Sequence, residues 1–186
     1  MGLGTHIQDV TAHIKAYDLA DVVLVGHSYA GQVVTGVADR IPERISRRVY
    51  LDAFAGRDGE AAEDLLPPEV ARHWRESAEQ AGFGWLVPVR PLEKLGVTSE
   101  ADLAWLTPRL TPHPWLTYTE PLRLAGRHEG VPAAFIECVS WMRVFRGQAE
   151  RAAANGWPVR QLNTGHEAMV TAPGDLAEAL LDLAKG

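Results

Sequence analysis

The stretch Val22-Val23-Leu24-Val25-Gly26-His27-Ser28-Tyr29-Ala30-Gly31-Gln32-Val33-Val34 decides how this chain is read. Val22 to Val25 form an unbroken apolar run rich in β-branched residues. Such a run suits a strand buried on both faces of a parallel sheet. Beyond a short break, Val33, Val34, Val37, Ala38 and Ile41 recur at helical spacing. The pattern is strand, sharp turn, helix, with Ser28 at the apex. Gly26, Ala30 and Gly31 keep the turn small, because the strand and helix backbones approach closely there and larger Cβ substituents would clash. This geometry lifts the serine hydroxyl above the sheet edge. It also points a helix N-terminus, with its unpaired N–H groups, at the same place.

The pattern extends in both directions. Thr5 and Gln8 have capping-box spacing, and Ile7, Val10, Ile14 and Tyr17 follow at helical intervals. A helix over roughly residues 6–19 therefore feeds the Val22 strand. The second helix ends near Arg40, since Pro42 cannot continue it. Arg48–Leu51 reads as a second strand with Asp52 at its C-terminal end. From about residue 55 to residue 130 the alternation breaks. Prolines and Trp74, Trp85, Trp105 and Trp115 crowd this stretch, with one short helix predicted after Pro68 and another after a Ser99 cap. It reads as a helical cap inserted over a site, its aromatics either lining an apolar pocket or packing the insertion onto the core. Regularity returns with a strand at 131–136, a helix at 143–154, a strand at 157–162, the loop Asn163-Thr164-Gly165-His166-Glu167 and a final helix from Pro173. The expected fold class is α/β: one domain over 1–186, a parallel sheet of about four strands with flanking helices, and the cap.

Composition narrows the classes. A net charge of −6 argues against nucleic acid or an anionic membrane as a partner. No apolar run reaches transmembrane length, and Met1–Thr5 lacks a basic-plus-apolar signal segment. The single cysteine, Cys138, rules out an internal disulfide framework and fits a reducing cytoplasm. No clustered Cys/His set or Gly-rich phosphate loop is present, so neither metal nor organic cofactor is expected.

In an open α/β sheet, ligands sit at the carboxyl ends of the strands. Ser28 follows the first strand, Asp52 closes the second, and His166 lies in the loop after the fourth. Serine needs a base within hydrogen-bond reach; histidine can take and return the proton near neutral pH. A carboxylate fixes the histidine tautomer and stabilises the imidazolium. These three are the candidate catalytic residues. His27, inside the turn and directed at the core, is a poorer candidate base.

Three ordered segments carry a resemblance: Gly26-His27-Ser28-Tyr29-Ala30-Gly31, Val49-Tyr50-Leu51-Asp52-Ala53-Phe54, and Thr164-Gly165-His166-Glu167-Ala168-Met169 continuing to Pro173. Leu110-Thr111-Pro112-His113-Pro114-Trp115 adds a cap segment. Together they resemble the esterase and hydroxynitrile-lyase branch of the α/β hydrolases over nearly the whole chain, with Ala30 in place of the last Gly of G-x-S-x-G. The resemblance implies a serine hydrolase acting on small carboxylic esters through an acyl-enzyme, with chain order Ser, Asp, His and the Tyr29 N–H as oxyanion donor. Tyr29, His27 and Trp115 complete the candidate oxyanion and substrate-binding set. In much of that branch the acid follows the strand matching Phe135–Cys138, near Ser140 or Trp141, and neither is a carboxylate. Asp52 is the preferred acid and Glu137 the alternative.

Members of the branch carry several strands ahead of the elbow. Their counterparts are absent here, with the loop that supplies a second oxyanion donor, a loss worth about 10²–10³ in rate. The Val22–Val25 strand is then an apolar edge, expected to be covered by a second copy (a homodimer), by a rearranged insertion or by another polypeptide. Two other readings stand beside the esterase. One is a carbon–carbon lyase using Lys94 as the extra polar group. The other is a truncated relic or binding subunit without turnover.

Overall fold

The computed structural model describes residues 1–185. In chain order the elements are α1 (Leu3–Ala16), β1 (Val22–His27), α2 (Ala30–Arg40), β2 (Ile45–Leu51), α3 (Pro68–Ala81), β3 (Leu86–Val87), α4 (Glu100–Leu106), β4 (His113–Pro114), α5 (Leu116–Thr119), β5 (Ala133–Cys138), α6 (Arg146–Ala154), β6 (Val159–Leu162), α7 (Ala168–Thr171) and α8 (Pro173–Lys185). The main sheet is parallel throughout, in the order β1-β2-β5-β6. Strands β3 and β4 form a separate antiparallel ribbon in the cap.

Helices cover both faces, as a parallel sheet requires. Alternation along β2 and β5 divides the core. Tyr50, Ala133 and Phe135 point to one face, where they pack with Val34 of α2, Phe54 and the α6 residues Ala149 and Ala152. Val49, Leu51, Ala134 and Ile136 point to the other, against Leu176 and Leu183 of α8. Helix α1 packs outside α2, its Leu3, Ile7 and Ile14 meeting Val33, Val37 and Ile41. Burial of Leu3 and Ile7, one helical turn apart, starts α1 at Leu3 and not at residue 6. Gly2 is its extended N-cap, and no side chain caps it, so the expected Thr5 capping box does not form.

Strand β1 pairs only with β2 among the described residues, and Val25 is exposed. The apolar edge predicted from the sequence is open within this chain. The segment between β2 and β5 holds α3, α4, α5 and the β3–β4 ribbon. Ser99 caps α4 by accepting a hydrogen bond from the Asp102 N–H. Trp74 of α3 is buried, whereas Trp85 and Trp105 are exposed. No helix among the described residues is long and apolar enough to cross a membrane.

Candidate active site

Ser28 sits between β1 and α2 with φ of 55°, a left-handed conformation that a non-glycine residue adopts only under constraint. The constraint is visible. The Ser28 N–H donates to the Leu51 carbonyl at 3.1 Å, and the Phe54 N–H donates to the Ser28 carbonyl at 3.1 Å. The elbow is thus stitched to the C-terminal end of β2. Two glycines permit this closeness. A Cβ on Gly26 would lie 2.6 Å from the Ala30 carbonyl oxygen, and one on Gly31 would meet the Phe54 carbonyl. Tyr29 is already helical in backbone, at φ −54° and ψ −35°. Its N–H has no hydrogen-bond partner among the described residues and lies at the start of α2, where helix N–H groups are left free.

Asp52 follows β2, also left-handed at φ 43° and fully buried. Its N–H donates to the Ile136 carbonyl at 2.7 Å, and its Oδ1 accepts the Cys138 N–H at 3.2 Å. These bonds leave Oδ2 for His166, whose Nδ1 lies 2.7 Å away. Burial pushes the Asp52 carboxyl above its ordinary value and pushes the His166 imidazole below its own; the Arg90 charge adds to the latter. A neutral imidazole donating Nδ1–H to Asp52 follows, with Nε2 left as the basic nitrogen. No hydrogen bond joins Ser28 Oγ to His166 among the described residues. Catalytic contacts are often long in a free enzyme and tighten with substrate.

Glu137, the alternative acid, is turned away. Its Oε1 accepts from Arg143 Nη2 at 2.6 Å and Nε at 3.0 Å, and its Oε2 accepts from Gln161 at 3.0 Å. His27 Nε2 donates to the His166 carbonyl at 3.0 Å, and burial lowers its pKa to about 3. It braces the His166 backbone, and its ring packs beside that of His166 at a centroid distance of 4.3 Å. Lys94 borders a hollow lined also by Glu93, Ser140, Trp141 and Gly165, distinct from the cavity that Arg90 and Glu167 line.

Several residues at the site were not picked out from the sequence. His166 is stacked on Trp141, at a centroid distance of 4.5 Å, and on Phe145 at 5.4 Å. Trp141 stands where the branch usually carries its acid region, the one available signal. Glu167 and Arg90 line a cavity of about 170 Å³ with Trp74, His113 and Tyr118. Trp115 is not on its wall; it packs against the core cluster around Phe54 and donates its backbone N–H to the Trp85 carbonyl. Ligand atoms of His27, His166 and Glu167 lie within 4.8 Å of one another, a spacing a cation could bridge. Of the ring nitrogens, His166 Nδ1 and His27 Nε2 are already engaged, with Asp52 Oδ2 and the His166 carbonyl, which leaves His166 Nε2 and His27 Nδ1 as the lone-pair nitrogens.

The chain is similar to proteins of known character. The carbendazim hydrolyzing esterase of Nocardioides sp. (strain SG-4G) is 39% identical over 192 residues, spanning 97% of this chain and 78% of that protein. Methylesterase 17 of Arabidopsis thaliana is 27% identical over 175 residues, spanning 82% of this chain and 62% of that one. Among solved structures, an extracellular alpha/beta-hydrolase from a Paenibacillus species superposes with a TM-score of 0.84 at 24% identity, covering 99% of this chain and 80% of the other. The alpha/beta hydrolase family pattern matches residues 2–179, and together with the elbow, the sheet order and the 39% identical relative this shows that the chain belongs to that family.

Proposed function

We propose that this chain is a carboxylesterase-type serine hydrolase that cleaves small esters through an acyl-enzyme. Ser28 Oγ attacks the ester carbonyl carbon while His166 Nε2 takes its proton. Asp52 holds the imidazole tautomer and stabilises the imidazolium. The Tyr29 N–H donates to the developing oxyanion. Collapse of the tetrahedral intermediate breaks the bond to the alcohol oxygen, which leaves with the proton from His166. Water then attacks the acyl-enzyme, gives its proton to His166, and the carboxylic acid and free Ser28 result.

The observation that supports this reading most is the buried 2.7 Å contact between His166 Nδ1 and Asp52 Oδ2, set beside a serine in left-handed conformation. The names of the relatives, a hydrolyzing esterase and a methylesterase, support an ester as the substrate class.

The test is covalent labelling with a fluorophosphonate read by intact-mass spectrometry, with Ser28→Ala and His166→Ala as controls. One adduct mapping to Ser28 and absent from both variants is expected. No adduct on folded wild-type protein would refute the proposal and leave a binding subunit as the better description.

A further inference from the structure

Buried charges in this molecule are matched almost everywhere. Glu137 is held by Arg143 and Asp39 by His128. Arg90 in the cap is an exception. Its guanidinium lies 4.5 Å from the ring centroid of Trp74, and no hydrogen bond or ion pair engages it among the described residues. Burial lowers its pKa, and the charges of Tyr118 and Glu167 oppose that shift. Its N–H donors stay within reach of solvent and are free to be taken up by a ligand that can accept from them.

The cavity it lines says what that acceptor sits on. About 170 Å³ is the space of a single aromatic ring; an apolar cavity of about 150 Å³ admits benzene. The walls are aromatic. Trp74 and Tyr118 meet edge to face at 5.0 Å, and Tyr118 and His113 pack against Tyr29 of the elbow. The cavity adjoins the His166 loop. Glu167 is on its wall, and the Glu167 carboxylate lies within 4.8 Å of a His166 ring nitrogen. Leu95, also on the wall, accepts the His166 backbone N–H at 2.7 Å.

We propose that Arg90 is a specificity-determining residue: its guanidinium donates to a neutral hydrogen-bond acceptor, a ring nitrogen or ring carbonyl, on a one-ring group of the ester bound in this cavity. The proposal rests on the hydrolase reading for the fate of the ester, though not for its binding. A neutral acceptor is preferred because the Glu167 carboxyl already offsets the Arg90 charge in this cavity.

The experiment compares methyl benzoate with the three methyl pyridinecarboxylates, which have the same shape and differ only in a ring nitrogen. In wild type and Arg90→Met, kcat/KM is measured for all four and the pyridine-to-benzene ratio is taken, so that intrinsic ester reactivity cancels between the two proteins. For the best of the three isomers, the ratio should fall on the order of ten- to a hundredfold in Arg90→Met, the worth of a hydrogen bond to a charged group. Arg90→Lys, which keeps charge over Trp74 but loses the fork, should lie between. A disturbance of cap packing alone would lower both rates and leave the ratio unchanged, overturning the proposal. Calorimetric binding of the same isomer to Ser28→Ala, with and without Arg90→Met, separates the two readings. Arg90-dependent affinity without turnover by the wild type would refute the hydrolase and uphold the subsite. Turnover with an unchanged ratio and unchanged affinity would refute the subsite and uphold the hydrolase.

Discussion

Asp52→Asn is the sharpest perturbation of the proposed site, because the replacement is nearly isosteric and its consequence follows from two hydrogen bonds. Asp52 Oδ1 accepts from the Cys138 N–H and Oδ2 accepts from His166 Nδ1–H. An asparagine has one carbonyl oxygen for these two donors. With the oxygen toward Cys138, the amide N–H₂ faces His166 Nδ1, which must then present a lone pair. The ring proton moves to Nε2, and His166 can no longer take the proton of Ser28. The flipped amide would set N–H₂ against the Cys138 N–H, two donors facing each other in a fully buried place, at about 1–3 kcal/mol. The wrong tautomer therefore dominates. A loss of about 10⁴ in kcat is expected by analogy with other triads, equivalent to about 5 kcal/mol of barrier. The assay is the initial rate on p-nitrophenyl acetate across saturating concentrations, with circular dichroism and a thermal melt to show that the variant is folded. Glu137→Gln is the control, since Glu137 points to Arg143 and Gln161. A folded Asp52→Asn protein that loses less than tenfold, or a Glu137→Gln protein that loses as much, would refute the argument.

Three other outcomes are expected. Gly31→Ala should destabilise the fold by about 1–3 kcal/mol, because its Cβ meets the Phe54 carbonyl across the elbow; a urea midpoint equal to wild type would contradict this. Turnover needs neutral His166, and its pKa is lowered by burial from the ordinary 6.5. Protonation then begins only at lower pH, so the acid limb of kcat/KM should fall below pH 6.5; a limb at or above that value speaks against a buried base. Arg143→Ala should cost about 3 kcal/mol in thermal or urea unfolding, since it leaves the buried Glu137 carboxylate without its cation; a loss below about 1 kcal/mol would mean that Gln161 alone suffices.

The legible part of this protein is local. Val22–Val25 is apolar on successive residues and is followed by small residues and a 3.6-residue repeat. That pattern specifies a strand, a tight turn and a helix, and with them the placement of Ser28, although β1 is a half-buried edge and not the strand covered on both faces that the apolar run suggests. Asp52 and His166 were also readable, because strand ends and loops on one sheet edge follow from chain order alone. The capping-box reading of Thr5 failed because packing of Leu3 and Ile7 onto α2 outweighs a local cap signal.

What the chain order could not decide is where side chains from distant segments meet. The choice between Asp52 and Glu137 turns on the strand pleat, which sends Glu137 to Arg143 while the left-handed turn after β2 sends Asp52 to His166. His27 became a brace for the His166 carbonyl, and Trp141 and Phe145 became the bed on which its ring lies. The cavity of Arg90, Trp74, Tyr118 and Glu167 joins cap residues to the His166 loop across scores of intervening positions. Periodicity and turn chemistry act over a few residues, so the sequence by itself determined the sheet, the elbow and the three candidate catalytic residues. Partnering across the fold depends on packing and the exclusion of water, so the tertiary structure alone decided which acid faces the histidine and what lines the pocket beside it.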